Sequence, residues 1–214
     1  MTRSLSIFIV RRMAAVVALS ALLLTTSCGD KVLQGRGASY LIVSRLEAAS
    51  GAKPTTFSTF LESDVAVWAQ PAVGSSTAPV ATIYEDMGQV ALSMAMKDPV
   101  TVFEPTATNT ITVERYHVDY VRTDGRNTQG VDVPYSFDGA VTGTITSTDS
   151  TLVFVLVRAQ AKLEAPLLAL RGLGGAVFIS TLAQVTFYGH DQAGNAVSVS
   201  GTISINFADW PDSA

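Results

Sequence analysis

Cys28 is the only cysteine in the chain and its most reactive side chain. Upstream lie Arg3, Arg11 and Arg12, an apolar run from Met13 to Leu24, and the small polar residues Thr25, Thr26 and Ser27. Positive, then apolar, then small is the layout of a secretory signal. A single cysteine can form no disulfide within the chain and no thiolate metal cage. Other reactive groups are sparse. Of the two histidines, His117 falls mid-strand on a polar parity with Arg115 and Asp119, and His190 adjoins Asp191 at a strand end; both are expected at the surface. No His-Glu-x-x-His zinc motif and no Gly-x-Ser-x-Gly nucleophile turn occurs. Asp124, Asn127, Asp191 and Asn195 carry oxygens that suit calcium, but their spacing matches no EF-hand and turn chemistry accounts for them. Gly172-Leu173-Gly174-Gly175 lacks the spacing and lysine of a phosphate loop and is expected to stop a helix. Tyr116 and Tyr120 share a parity with Val118 and are expected in the core, while Trp68 and Trp210 fall near strand ends, Trp210 as a hint of an interface. The residues thus predict no catalytic, cofactor-binding or metal-binding site.

Composition narrows the class further. Cleavage before Cys28 would remove three arginines and no acids from 14 basic and 18 acidic residues, leaving 187 residues with a net charge of −7. An acidic chain is poorly suited to nucleic acid, which needs a basic surface, or to a polybasic membrane contact. That length suits one domain with a substantial core.

Leu24 to Cys28 resembles the lipobox of bacterial lipoproteins. Ser27 fits its last position, Thr26 is tolerated, and Thr25 departs from the aliphatic preference, with Leu24 one position early. The resemblance implies a diacylglycerol thioether on Cys28 and cleavage just before it. Gly29, in place of an aspartate that tends to retain such proteins in the inner membrane, implies the outer membrane of a Gram-negative bacterium. Three other readings compete. A transmembrane anchor is disfavoured because the apolar run after Arg12 falls short of the roughly 20 residues that span a bilayer. Ordinary cleavage would leave a free thiol in an oxidising compartment. A twin-arginine signal would use Arg11 and Arg12, but Met13-Ala14-Ala15 does not continue that pattern. The expected organisation is a signal helix over 1–27, a tether over 28–38 and a β-domain over 39–214.

Beyond the tether, short β-rich runs alternate with turn residues. Strands are expected at Tyr40–Leu46 and Asp64–Trp68, with a loop over Gln70–Ala81. From Gln89, Val90, Leu92, Met94 and Met96 form one apolar face. In Ile111–Arg122 the apolar parity switches between Val113 and Tyr116, which predicts a β-bulge near Glu114-Arg115. After the loop Thr123–Gly130, the shared parity of Val131, Val133, Tyr135, Phe137, Val141 and Ile145 predicts one long strand or two joined at a glycine kink. Thr151–Val157 is apolar on both parities and is expected to be a central strand covered on both faces. Ala159–Leu170 is the one helix-leaning stretch, a crossover between sheets. Ile179–Tyr188 and Val197–Phe207 are expected to close the chain as a hairpin.

Asp191-Gln192-Ala193-Gly194-Asn195, after an aromatic-bearing strand, resembles the last hairpin of bacterial immunoglobulin-like domains. Together with the strand pattern it gives the expected fold: an all-β antiparallel β-sandwich, immunoglobulin-like in the broad sense, with one short helical crossover. The expected function is a non-catalytic binding or structural module, held in the cell envelope by lipid on Cys28, with other envelope proteins or polysaccharide as partners. The alternatives are a lipid-anchored carbohydrate-active enzyme, using carboxylates from distant segments, and a calcium-dependent adhesion or ligand-binding domain.

Overall fold

A computed structural model describes residues 37–69, 80–98 and 105–212. The signal, Cys28 and all but the last residues of the expected tether lie outside the described residues, as does most of the expected loop Gln70–Ala81.

The regular structure of the described residues is almost all strand: β1 (Ser39–Ala49), β2 (Phe60–Asp64), β3 (Val67–Ala69), β4 (Val80–Thr82), β5 (Asp86–Met96), β6 (Ile111–Val121), β7 (Phe137–Ile145), β8 (Ser150–Val157), β9 (Ile179–Asp191) and β10 (Ala196–Ala208). Between β8 and β9 lie a single helical turn, α1 (Ala159–Lys162), and a 3-10 turn at Leu167–Leu170. No helix among the described residues is long and apolar enough to cross a membrane. The strands form a three-stranded antiparallel sheet in the order β1-β5-β8, a five-stranded sheet in the order β2-β10-β9-β6-β7, and the small pair β3-β4.

The two larger sheets bury their apolar faces against each other. Phe154 of β8 meets Tyr116 of β6 with ring centroids 5.0 Å apart and Phe187 of β9 at 5.2 Å. The Tyr120 hydroxyl of β6 donates to the Leu156 carbonyl of β8 at 2.7 Å, satisfying a fully buried phenol across the interface. Val90, Leu92 and Met94 of β5 are buried, as their alternation predicts. β6 carries the expected bulge. It advances from Val113 to Arg115 while β9 retreats only from Gly189 to Tyr188. The extra residue rotates the strand, so that Ile111 and Val113 before it, and Tyr116, Val118 and Tyr120 after it, all face the core.

Several expectations need correction. The fold is not wholly antiparallel, because β2 runs parallel to β10, with Phe60 opposite Ser204. Parallel pairing joins strands remote in sequence and leaves no local turn signal. The expected strand Asp64–Trp68 is two strands broken at Val65-Ala66. There the Asp64 carboxylate accepts from the Ala66 amide at 3.3 Å and Val65 N donates to the Ala208 carbonyl at 2.9 Å. β8 is an edge strand rather than a covered central one: Leu152, Phe154 and Leu156 turn inward, but Val153 on the other face is 53% exposed. The strand expected from Val131 begins only at Phe137. Before it, amides of Val131 and Asp132 donate to the Thr128 carbonyl in a turn that leaves Val131 and Tyr135 exposed.

Candidate functional site

His117 lies on the outer face of the five-stranded sheet, as expected. Its Nε2 is 3.1 Å from Asp119 and its Nδ1 3.0 Å from Asp138. Arg115 reaches Asp138 at 3.6 Å and stacks 3.8 Å above the Tyr188 ring. This is a ladder of opposite charges across neighbouring strands. His190 is 3.5 Å from Glu114 on the same surface. Asp124 is clamped by Arg122 and Arg126, whose hydrogen bonds hold its carboxyl far below the usual range. Asn127 accepts from the Arg122 amide at 2.6 Å. Burial works against ionisation of Asp191, but hydrogen bonds from the Asn195 side chain and from the Asn195 and Ala193 amides outweigh it and lower its pKa. These oxygens are thus occupied in their own turns. Among the described residues, no group of three or more His, Cys, Asp or Glu is placed to hold a metal ion. Tyr116 and Tyr120 are core residues.

A buried polar knot escaped the sequence reading. Lys162 Nζ of α1 meets Asp86 Oδ1, at the start of β5, at 2.8 Å, with both side chains essentially without exposure. Ser63 donates to Asp86 Oδ2 at 2.6 Å and the Gly51 amide to Oδ1 at 2.8 Å. Arg171 donates to the Lys162 carbonyl at 3.1 Å. Burial, and next to it the negative charge of Asp86, pushes the Tyr120 phenol far above its ordinary pKa. The buried charges of Lys162 and Asp86 answer each other, which fixes the crossover onto the end of the sheets.

The concave site lies nearby. A groove of about 530 Å³ is bounded by the β1–β2 loop, β2, the start of β3 and the tail after β10. Trp68, Trp210 and Phe60 supply its aromatic surface; Glu62, Asp64, Asp212 and Lys53 supply its charges. Two carboxylates staple the tail to the strands. Asp64 Oδ1 accepts from the Trp210 amide at 3.2 Å, and Asp212 Oδ2 from the Trp68 amide at 2.7 Å. Asp64 is only 8% exposed. Burial, helped by the charges of Asp212 and Asp209 and opposed by the two backbone amides, pushes its carboxyl up to about 6. Asp209 accepts from the Gly172 amide, which ties the groove to the glycine-rich turn. That turn matches the expected helix stop, with φ of +72°, +55° and +74° at Gly172, Gly174 and Gly175. The structure therefore joins the two tryptophans, which the sequence left apart at strand ends. Asp64, Asp212 and Glu62 were missed; the only signal for them was a carboxylate beside each tryptophan-bearing segment.

The groove and the first described residues lie toward opposite ends of β1. Ser39 donates to the Asn109 carbonyl at 2.9 Å, and Gly37 packs against Asp191 and Asn195 in the β9–β10 turn. β1 then runs about 30 Å at strand rise from Ser39 to Ala48, which exchanges hydrogen bonds with Ser58 at the groove.

The chain matches no family model, and a search of curated proteins finds no relative.

Proposed function

We propose that this protein is a lipid-anchored cell-envelope protein whose β-domain is a non-catalytic binding module, held by acyl chains on Cys28 and binding through the groove between Trp68 and Trp210. The observation that carries the reading is polarity: entry at Gly37 and the groove lie at opposite ends of β1. A domain tethered at its first strand turns the groove away from the bilayer, toward partners in the envelope. Anchoring is durable because each buried methylene contributes about 0.8 kcal/mol and the lipoprotein modification adds more than one chain. Outer-membrane location in a Gram-negative bacterium belongs to the same reading and rests on Gly29 after Cys28.

An immunoglobulin-like relationship is part of the proposal. The order β1-β5-β8 facing β7-β6-β9-β10 corresponds to strands A, B and E facing C′, C, F and G of such sandwiches, with β2 added beyond the last. The closing hairpin carries the Asp191–Asn195 turn on which the resemblance began.

Asp64 and Asp212 in one groove also favour a second reading, a carbohydrate-active enzyme in which Asp64, its carboxyl raised by burial, serves as the acid. Hydrolysis of envelope glycans that disappears in Asp64→Asn would establish it, and no hydrolysis by the parent protein would exclude it.

The intact mass of the protein extracted from bacterial membranes tests the anchor. The expected mass is that of Cys28–Ala214 plus a diacylglycerol, with or without a third chain. A cleaved but unmodified chain, or one that keeps residues 1–27, would overturn it.

A further inference from the structure

We propose that the groove takes an extended basic peptide segment, added as a strand on the open edge of β2. This rests on the binding-module reading and supplies the ligand's chemistry. β2 pairs with β10 on one side and, among the described residues, with no strand on the other. Phe60, Leu61, Glu62 and Asp64, four of its five residues and of both parities, line the groove, so the groove follows the strand's free edge. An unpaired edge presents main-chain donors and acceptors at strand spacing, a pattern that a polypeptide matches and a glycan does not.

The side chains around that edge specify charge. Glu62, Asp64 and Asp212 face the groove against one cation, Lys53. Asp64 spends Oδ1 on the amides of Ala66 and Trp210, while its Oδ2 accepts no hydrogen bond among the described residues. That oxygen is not sealed from solvent, so a donor from outside can reach it. Half-buried Trp68 and Trp210 add ring faces that attract cations. A lysine or arginine side chain from the added strand meets both needs, stem on the indoles and head on the carboxylates.

The test titrates the full-length protein, purified in detergent, with a six-residue peptide of alternating threonine and lysine, followed by tryptophan fluorescence. The comparison ligands are the same peptide with glutamate for lysine, the lysine peptide methylated on its backbone nitrogens, and a glucosamine trimer. The lysine peptide should bind about tenfold or more tighter than the glutamate peptide, and less tightly as salt rises. Backbone methylation should abolish binding, and Glu62→Gln, at an exposed side chain without hydrogen bonds of its own, should weaken it about threefold. Equal binding of the two peptides, no binding, indifference to methylation, or the trimer binding in the peptide's stead would each overturn the proposal. Mass and membrane attachment read on the same preparation keep the two readings apart, since an intact lipid with no peptide signal overturns the ligand alone.

Discussion

In the groove the fold disturbs the protonation of Asp64, its carboxyl raised from an ordinary 3.8 to about 6. The folded protein therefore holds a proton that the unfolded chain has already released. Its contribution to stability falls as pH rises through that window, and the penalty is complete above about pH 6. Asp64→Asn keeps an oxygen for the Ala66 and Trp210 amides but removes the charge. In thermal scans the variant should melt about 2–4 °C above the parent near pH 7.5 and level with it near pH 3, below the unfolded pKa; a gap that persists at the acid end would show a cause other than the charge. Lys162 makes the opposite case. Lys162→Met strands Asp86 as a buried, uncompensated carboxylate, and urea unfolding should show a loss of about 3–5 kcal/mol. Adding Asp86→Asn should recover part of it; a double variant as unstable as the single one would mean that packing, not charge, is at stake. Neither residue was legible beforehand. Lys162 and Asp86 are 76 positions apart, and nothing in either neighbourhood names the other.

Among the elements, the bulge in β6 has the sharpest consequence. It presses the backbone of Thr112 and Val113 onto Gly189 of β9, where an added Cβ would lie 2.1 Å from the Thr112 carbonyl oxygen. Gly189→Ala should therefore cost about 1–3 kcal/mol in denaturant unfolding, because backbone cannot yield as a side chain tip does. An unchanged midpoint would mean that the bulge is more pliable than its register implies. The bulge was legible because side-chain period is a local property: Val113 and Tyr116 could not share a face without it. The same holds for β5 and for the β9–β10 hairpin, whose polar turn separates two long alternating runs. β8 failed for a reason of the same kind. Apolarity on both parities reports what a strand could tolerate, not whether anything covers it, and Val153 is left at an open edge. Asp64–Trp68 failed because a buried turn held by a carboxylate has the composition of a strand.

At the scale of the whole molecule, two facing sheets were legible and the site was not. Strand patterning fixes which faces are apolar, whereas the groove arises from β2, β3 and the chain's tail meeting across the fold. Its two staples, Trp68 to Asp212 and Trp210 to Asp64, span 144 and 146 positions of sequence. That span carries a consequence in time. Synthesis delivers a chain from its amino end, so β1 and β5 can pair early, while β2 must wait for β10 to emerge. Contacts closing so large a loop form late, after local hairpins have paid down the entropy. A nascent chain therefore has no groove, which takes shape only when nearly all of the described residues have been made and have folded.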